Sequence, residues 1–243
     1  MLALLAKEIK SFLSSLIGYI AIAIFLVLSG LFLWVFPGNF NVVDLGYASL
    51  EPLFTLAPWV FMFLIPAITM RTFSEERRTG TIELLYTRPL TDLQIIFAKT
   101  LAGVVLVLLS LLPTLVYMFS VYTLGNPPGN IDMGGTWGSY LGLLFLATAF
   151  VSIGVFASSI TPNQVVAFVV AMFLCFFVYI GFESISSFSL MGPLDNFVQK
   201  LGILEHYNSM SRGVIDSRDV VYFVALLAVF VLLTKTVLQS RKW

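Results

Sequence analysis

Long apolar runs alternate with short polar segments along this chain. Six runs stand out, over residues 17–36, 54–70, 100–124, 140–160, 165–182 and 220–238. Each holds 17 to 25 residues. A helix rises about 1.5 Å per residue, so crossing about 30 Å of hydrocarbon takes roughly 20. Within the runs the one charged side chain is Lys235. It sits a turn from the end of the last run, where a long stem can carry its ammonium to the interface. A membrane barrel would require short alternating segments, and none are visible. The pattern predicts an all-α polytopic membrane protein with six transmembrane helices, in one transmembrane domain over 1–243.

The polar segments carry their own pattern. Residues 1–16 read as an amphipathic helix lying flat at the headgroups. Leu2, Leu5, Ile9, Phe12, Leu13 and Leu16 share one side, and Lys7, Lys10, Ser11 and Ser14 the other. The first span is too long for the apolar core of a cleavable signal, so this helix is expected to be retained. The loop 71–99 holds nine of the 26 charges and is heavily punctuated. Gly80 offers a break between two short helices. Glu83 suits the positive end of the second. Pro89 stops it and restricts Arg88. Thr91 and Gln94 then form a capping box that starts the next helix. A protein docking surface and an anchor on anionic lipid both fit the charges; the punctuation favours docking.

Thr161, Pro162, Asn163 and Gln164 read as a second capping box, making spans four and five a tight hairpin. Residues 125–139 are rich in Gly, Pro and Asn and look irregular. In the segment 183–219, Leu194, Phe197, Val198 and Leu201 repeat at helical spacing between Pro193 and Gly202. Ile203, Tyr207, Met210 and Val214 continue toward Gly213. Two short half-buried helices are expected there. Pro66 and Pro113 should kink or loosen spans two and three. Gly138 and Gly142 form a GxxxG pair, a weak signal in any apolar run.

Composition narrows the class. The chain is 59% hydrophobic and 11% charged, with mean hydropathy +0.98, against about 25% charged in an ordinary soluble domain. With 13 basic and 13 acidic residues, no basic field draws in nucleic acid. If the N-terminus is cytoplasmic, ten Lys and Arg lie inside and three outside. Both termini are therefore expected inside a bacterial inner membrane. Trp34, Trp59, Trp137 and Tyr140 then fall at outer boundaries and Trp243 at the inner end.

Catalytic chemistry is sparse. No P-loop pattern holds nucleotide phosphates. His206 alone cannot complete a metal site, and Cys175 reads as core packing. No catalytic, cofactor-binding or metal residue is expected. The spans lack the mid-membrane ionisable groups of ion-coupled carriers, so the drive for any transport should come from a partner.

The run Phe73-Ser74-Glu75-Glu76-Arg77-Arg78-Thr79-Gly80-Thr81-Ile82-Glu83-Leu84-Leu85-Tyr86-Thr87-Arg88-Pro89-Leu90 resembles the signature of ABC-2 type permeases. It departs at Ala98-Lys99, where that family often has Gly-Lys. The run from His206 to Asp216 resembles one branch, which includes the permease of the gliding-motility-associated ABC transporter. The resemblance implies a permease without its own ATP site, coupled to a cytoplasmic ABC ATPase dimer that holds ATP and Mg. It implies a coupling helix in loop 71–99, with Glu75, Glu76, Arg77, Arg78, Gly80, Thr81, Glu83, Leu84, Leu85 and Pro89 at the ATPase contact. It implies an outer gate over 183–219, involving Phe197, Tyr207, Met210, Arg212 and Gly213. A second permease chain is implied, and in gliding systems a membrane protein with a large periplasmic domain. A non-transporting scaffold for an envelope assembly and an ATP-independent channel remain the alternatives.

Overall fold

The computed structural model describes residues 1–87, 89–187, 195–213 and 215–240, without the side chains at 84, 86 and 196. The described residues are helical, with no strand among them. The helices are α1 (Leu2–Leu13), α2 (Leu16–Trp34), α3 (Glu51–Thr69), α4 (Ser74–Arg78), α5 (Ile82–Tyr86), α6 (Asp92–Leu111), α7 (Leu115–Leu124), α8 (Met133–Ile160), α9 (Gln164–Phe176), α10 (Phe182–Ser187), α11 (Asp195–Gln199), α12 (Ile203–Met210) and α13 (Ser217–Gln239). Six helical stretches are long and apolar enough to cross a membrane. They match the six predicted runs.

The apolar runs undershoot the helices because hydropathy sees only the part in hydrocarbon, while caps set the true starts. Helix α6 begins at Asp92, eight residues before the run, where Thr91 and Gln94 close the predicted capping box. Helix α8 begins at Met133, because the Asp132 carboxylate accepts the Gly135 N–H. Helix α3 starts at Glu51 with Pro52 in its first turn. This places Trp59 two turns into the helix rather than at its mouth.

Other local expectations shift. Pro113 converts one turn to a 3-10 helix, Leu112–Thr114, between α6 and α7. Helix α3 runs on through both Pro58 and Pro66. Asn163, not Thr161, caps α9; its side chain accepts from the Val165 and Val166 N–H groups. A π turn, Phe177–Gly181, joins α9 to α10. Helices α11 and α12 are the two short helices expected between spans five and six. Pro193, Leu194 and Val214 of that expectation, like Arg88 and Trp243, lie outside the described residues.

Helix α8 is the central post. It packs against α3, α6, α9, α12 and α13. Its spanning window is 72% buried, against 22–28% for α2, α9–α10 and α13. Small residues allow the close approach. A Cβ on Gly154 would collide with Thr69 Oγ1 and lie 2.8 Å from Thr69 Cβ. Thr69 Oγ1 meanwhile donates to the Ile65 carbonyl. We expect Gly154→Ala to cost about 1–3 kcal/mol, read as a lower Tm in detergent. Adding Thr69→Ala should recover part of the loss, because it removes the colliding hydroxyl but leaves the Thr69 Cβ at 2.8 Å. A double variant no more stable than the single one would place the strain elsewhere.

The two ends of the bundle differ. The proximal end carries α1, α4, α5 and the turn between α8 and α9. The distal end carries α11, α12 and the starts of α3, α8 and α13.

Candidate functional site

The short helices of the proximal end form one knob, and its root is an ion cluster. Lys99 lies a third of the way along α6 and is 1% exposed. Its Nζ donates to Glu8 Oε1 at 3.1 Å, to the Thr72 carbonyl at 2.8 Å, and lies 2.9 Å from Glu76 Oε1. An ammonium has three N–H groups, and each has a partner. The Phe73 ring lies 5.0 Å from the same nitrogen, adding a cation–π contact. Lys7 sits at the rim, 3.5 Å from both Glu8 and Glu76. Two carboxylates meet two ammonium groups, so the cluster is neutral.

Burying such charges is tolerable only because they are paired and hydrogen-bonded. The cluster binds α1, α4 and α6 together. On the other side, the Ser158 hydroxyl of α8 accepts the Phe73 and Ser74 N–H groups at 2.9 and 3.1 Å, and donates to the Met70 carbonyl at 3.0 Å. The corner leading into α4 is thereby pinned to the central post.

Helix α1 is amphipathic, but the face it turns inward is not the expected one. Its inward ridge is Leu4, Glu8 and Phe12, against α6. Leu5, Ile9 and Leu13 pack partly against the core, while Leu2 is 78% exposed and Leu16 points out with it. Glu8 was missed. The signal was an acid midway in an i, i+4, i+8 apolar row, which needs a cation to receive it.

The structure separates the residues expected at a partner contact. Arg78, Gly80, Thr81, Glu83 and Pro89 are exposed. Gly80 has φ +72°, the left-handed value that glycine adopts without strain, so the chain reverses between α4 and α5. Thr79 and Thr81 hydroxyls meet at 2.9 Å across that break. Glu75 pairs with Arg71 at 3.5 Å, and Arg77 is half-buried. Glu76 turns inward to Lys99. Leu85 packs against the core with Ile82, which leaves Glu83 on the outward side of α5. The Leu84 side chain lies outside the described residues.

At the distal end, Tyr207 and Met210 are buried, and the Tyr207 hydroxyl donates to the Phe54 carbonyl at 2.7 Å. Burial pushes that phenol well above its ordinary value. Gly213, at φ +83°, lies against Gly134 and Gly135. Arg212 is exposed and lines a cavity; Phe197 is exposed on α11, outside that cavity's lining. His206 is not an idle surface residue. Nδ1 lies 2.7 Å from the buried Asp219 carboxylate, Nε2 lies 3.0 Å from the Lys200 carbonyl, and the ring stacks on Tyr222. No group of metal-ligating residues occurs among the described residues, and Cys175 is buried in the core.

Six apolar helical stretches, one of them a buried central post, with a braced polar knob at one end, define a multi-pass membrane protein. The family described as ABC-2 family transporter protein matches residues 52–243, and the chain belongs to that family. Membership makes it a membrane permease subunit and implies an ABC ATPase partner in general terms. Among curated proteins, none matches the chain.

Proposed function

We propose that this chain is the permease subunit of an ATP-driven ABC-2 transporter or mechanotransmitter of the gliding-motility-associated type. It sits in a bacterial inner membrane with both termini and the proximal end cytoplasmic. A separate ABC ATPase dimer holds ATP and Mg and docks on the tip formed by Arg78, Gly80, Thr81, Glu83 and Pro89. A second permease chain completes the membrane unit, and a membrane protein with a large periplasmic domain receives the motion. The likeness of the 206–216 run supports the branch.

One observation carries the coupling reading: an exposed polar tip stands on a root that is ion-paired to α6 and α1 and hydrogen-bonded to α8. Force applied to such a tip passes into three helices at once, because ion pairs and hydrogen bonds tie the root to each of them. ATP closure of the partner dimer tilts the tip, and the helix ends at the far side shift with α8.

The test is charge reversal at the tip. Glu83→Lys leaves insertion and folding intact, since Glu83 is exposed. Like charges brought together at an interface cost several kcal/mol, so permease-stimulated ATP turnover should fall at least tenfold. Unchanged co-purification with the ATPase and unchanged turnover would reject the docking surface.

A further inference from the structure

A cavity of about 900 Å³ opens at the distal end, between the starts of α3 and α8 and the helices α10 and α12. Its lining mixes aromatic rings with charge: Trp59 and Tyr179 stand edge to face at 6.2 Å, with Glu51, Glu183 and Arg212 around them. Asp132 also lines it, but that carboxylate is committed to capping α8. Tyr179 is 4% exposed, and its hydroxyl makes no hydrogen bond among the described residues. It lines that space.

A second hollow of about 490 Å³ runs between α2, α3 and α9, and its lining is entirely apolar. Trp59 belongs to both. The link is one row on α3. Glu51, Thr55, Trp59, Phe63 and Ala67 recur every fourth residue, and all are exposed or half-exposed on a helix that is otherwise largely buried. At about 1.5 Å per residue the row covers about 24 Å, most of a bilayer's hydrocarbon. It is polar at the distal end and apolar from Trp59 onward.

We propose that cavity and groove are one binding site for a zwitterionic phospholipid, whose headgroup bears an ammonium and a phosphate. A ring pair beside a carboxylate favours an ammonium, so Trp59, Tyr179 and Glu183 take it, and Glu51 adds negative potential at the mouth of the same cavity. Arg212 takes the phosphate, which a guanidinium can grip through two N–H groups. One acyl chain descends past Phe63 toward Ala67 and Phe168. An ordinary annular lipid needs only an apolar wall; here a charged seat sits at the head of the groove. Binding requires no ATPase, so its failure would leave the coupling reading untouched.

The experiment uses the full chain in detergent with Trp59 as the sole tryptophan, the other three being changed to Phe. It is titrated with phosphatidylethanolamine or phosphatidylglycerol carrying brominated acyl chains, which quench a neighbouring indole. Phosphatidylethanolamine should quench saturably, at a concentration at least tenfold lower than phosphatidylglycerol. Glu51→Gln with Glu183→Gln should reduce that preference to about twofold. Arg212→Gln should weaken both lipids at least fivefold. Equal quenching by the two lipids in the parent, or a preference untouched by the double Gln variant, would overturn the site and leave annular lipid only. Thr55→Cys is the second measurement: a high-yield disulfide between two copies would show that another chain covers the row, and would also overturn it.

Discussion

Lys99→Met is expected to cost about 3–5 kcal/mol, the penalty for leaving buried charge without its partner. Methionine keeps the length and apolar bulk of the stem, so little packing is lost. What disappears is the ammonium held by Glu8, Glu76 and the Thr72 carbonyl. The two carboxylates then face each other, with only the rim Lys7 to serve them. The variant should melt well below the parent in detergent. A cysteine placed at Leu4, buried in the parent, should become reactive to maleimide as α1 lifts from α6. Adding Glu8→Gln and Glu76→Gln removes the orphaned charge, and the triple variant should regain most of the loss. Functionally, Lys99→Met should spare partner binding, because the exposed tip is unchanged, but uncouple it from the spans. If Lys99→Met melts with the parent, the cluster is not the root of the knob.

How much of this was readable beforehand depends on the range of each signal. The six spans, the capping box at Thr91 and the reversal at Gly80 are written in local patterns of up to about 20 residues, and the structure has them all. The ion cluster is not local. Glu8 and Lys99 stand 91 positions apart, and Glu76 belongs to a third segment. Each alone reads as an ordinary solvated charge near a membrane boundary. Only the Leu4–Glu8–Phe12 row hinted that one of them faces inward. The same limit applies to His206, whose partner Asp219 lies in the first turn of α13. The helix starts were misplaced wherever a polar first turn projects beyond the hydrocarbon, as at Met133 and Asp92, since hydropathy weighs those residues as loop.

The GxxxG pair shows the opposite error, a signal discounted because it is common by chance. In the fold it is a socket. A Cβ on Gly138 would stand 2.7 Å from the Met210 carbonyl oxygen and 2.8 Å from Gly213 Cα, while one on Gly142 would stand 3.2 Å from Met210 Cβ. The Ser139 hydroxyl meets the Ser211 carbonyl at 3.3 Å between them. Helix α12 and the turn after it are thus seated on backbone, and the two glycines should respond differently. Gly138→Val meets main-chain atoms that no rotamer change can move, so it should cost at least the upper end of the about 1–3 kcal/mol typical of overpacking and displace α12. A cysteine replacing Met210, fully buried in the parent, should then label readily. Gly142→Ala should be mild, since its nearest obstacle is the Met210 Cβ at 3.2 Å, a side-chain atom that can give by a few tenths of an ångström. Met210→Ala should not rescue Gly138→Val. Rescue of Gly138→Val by that truncation would mean that α12 is held by side-chain packing alone, and that the close backbone seat is not what fixes the distal wall.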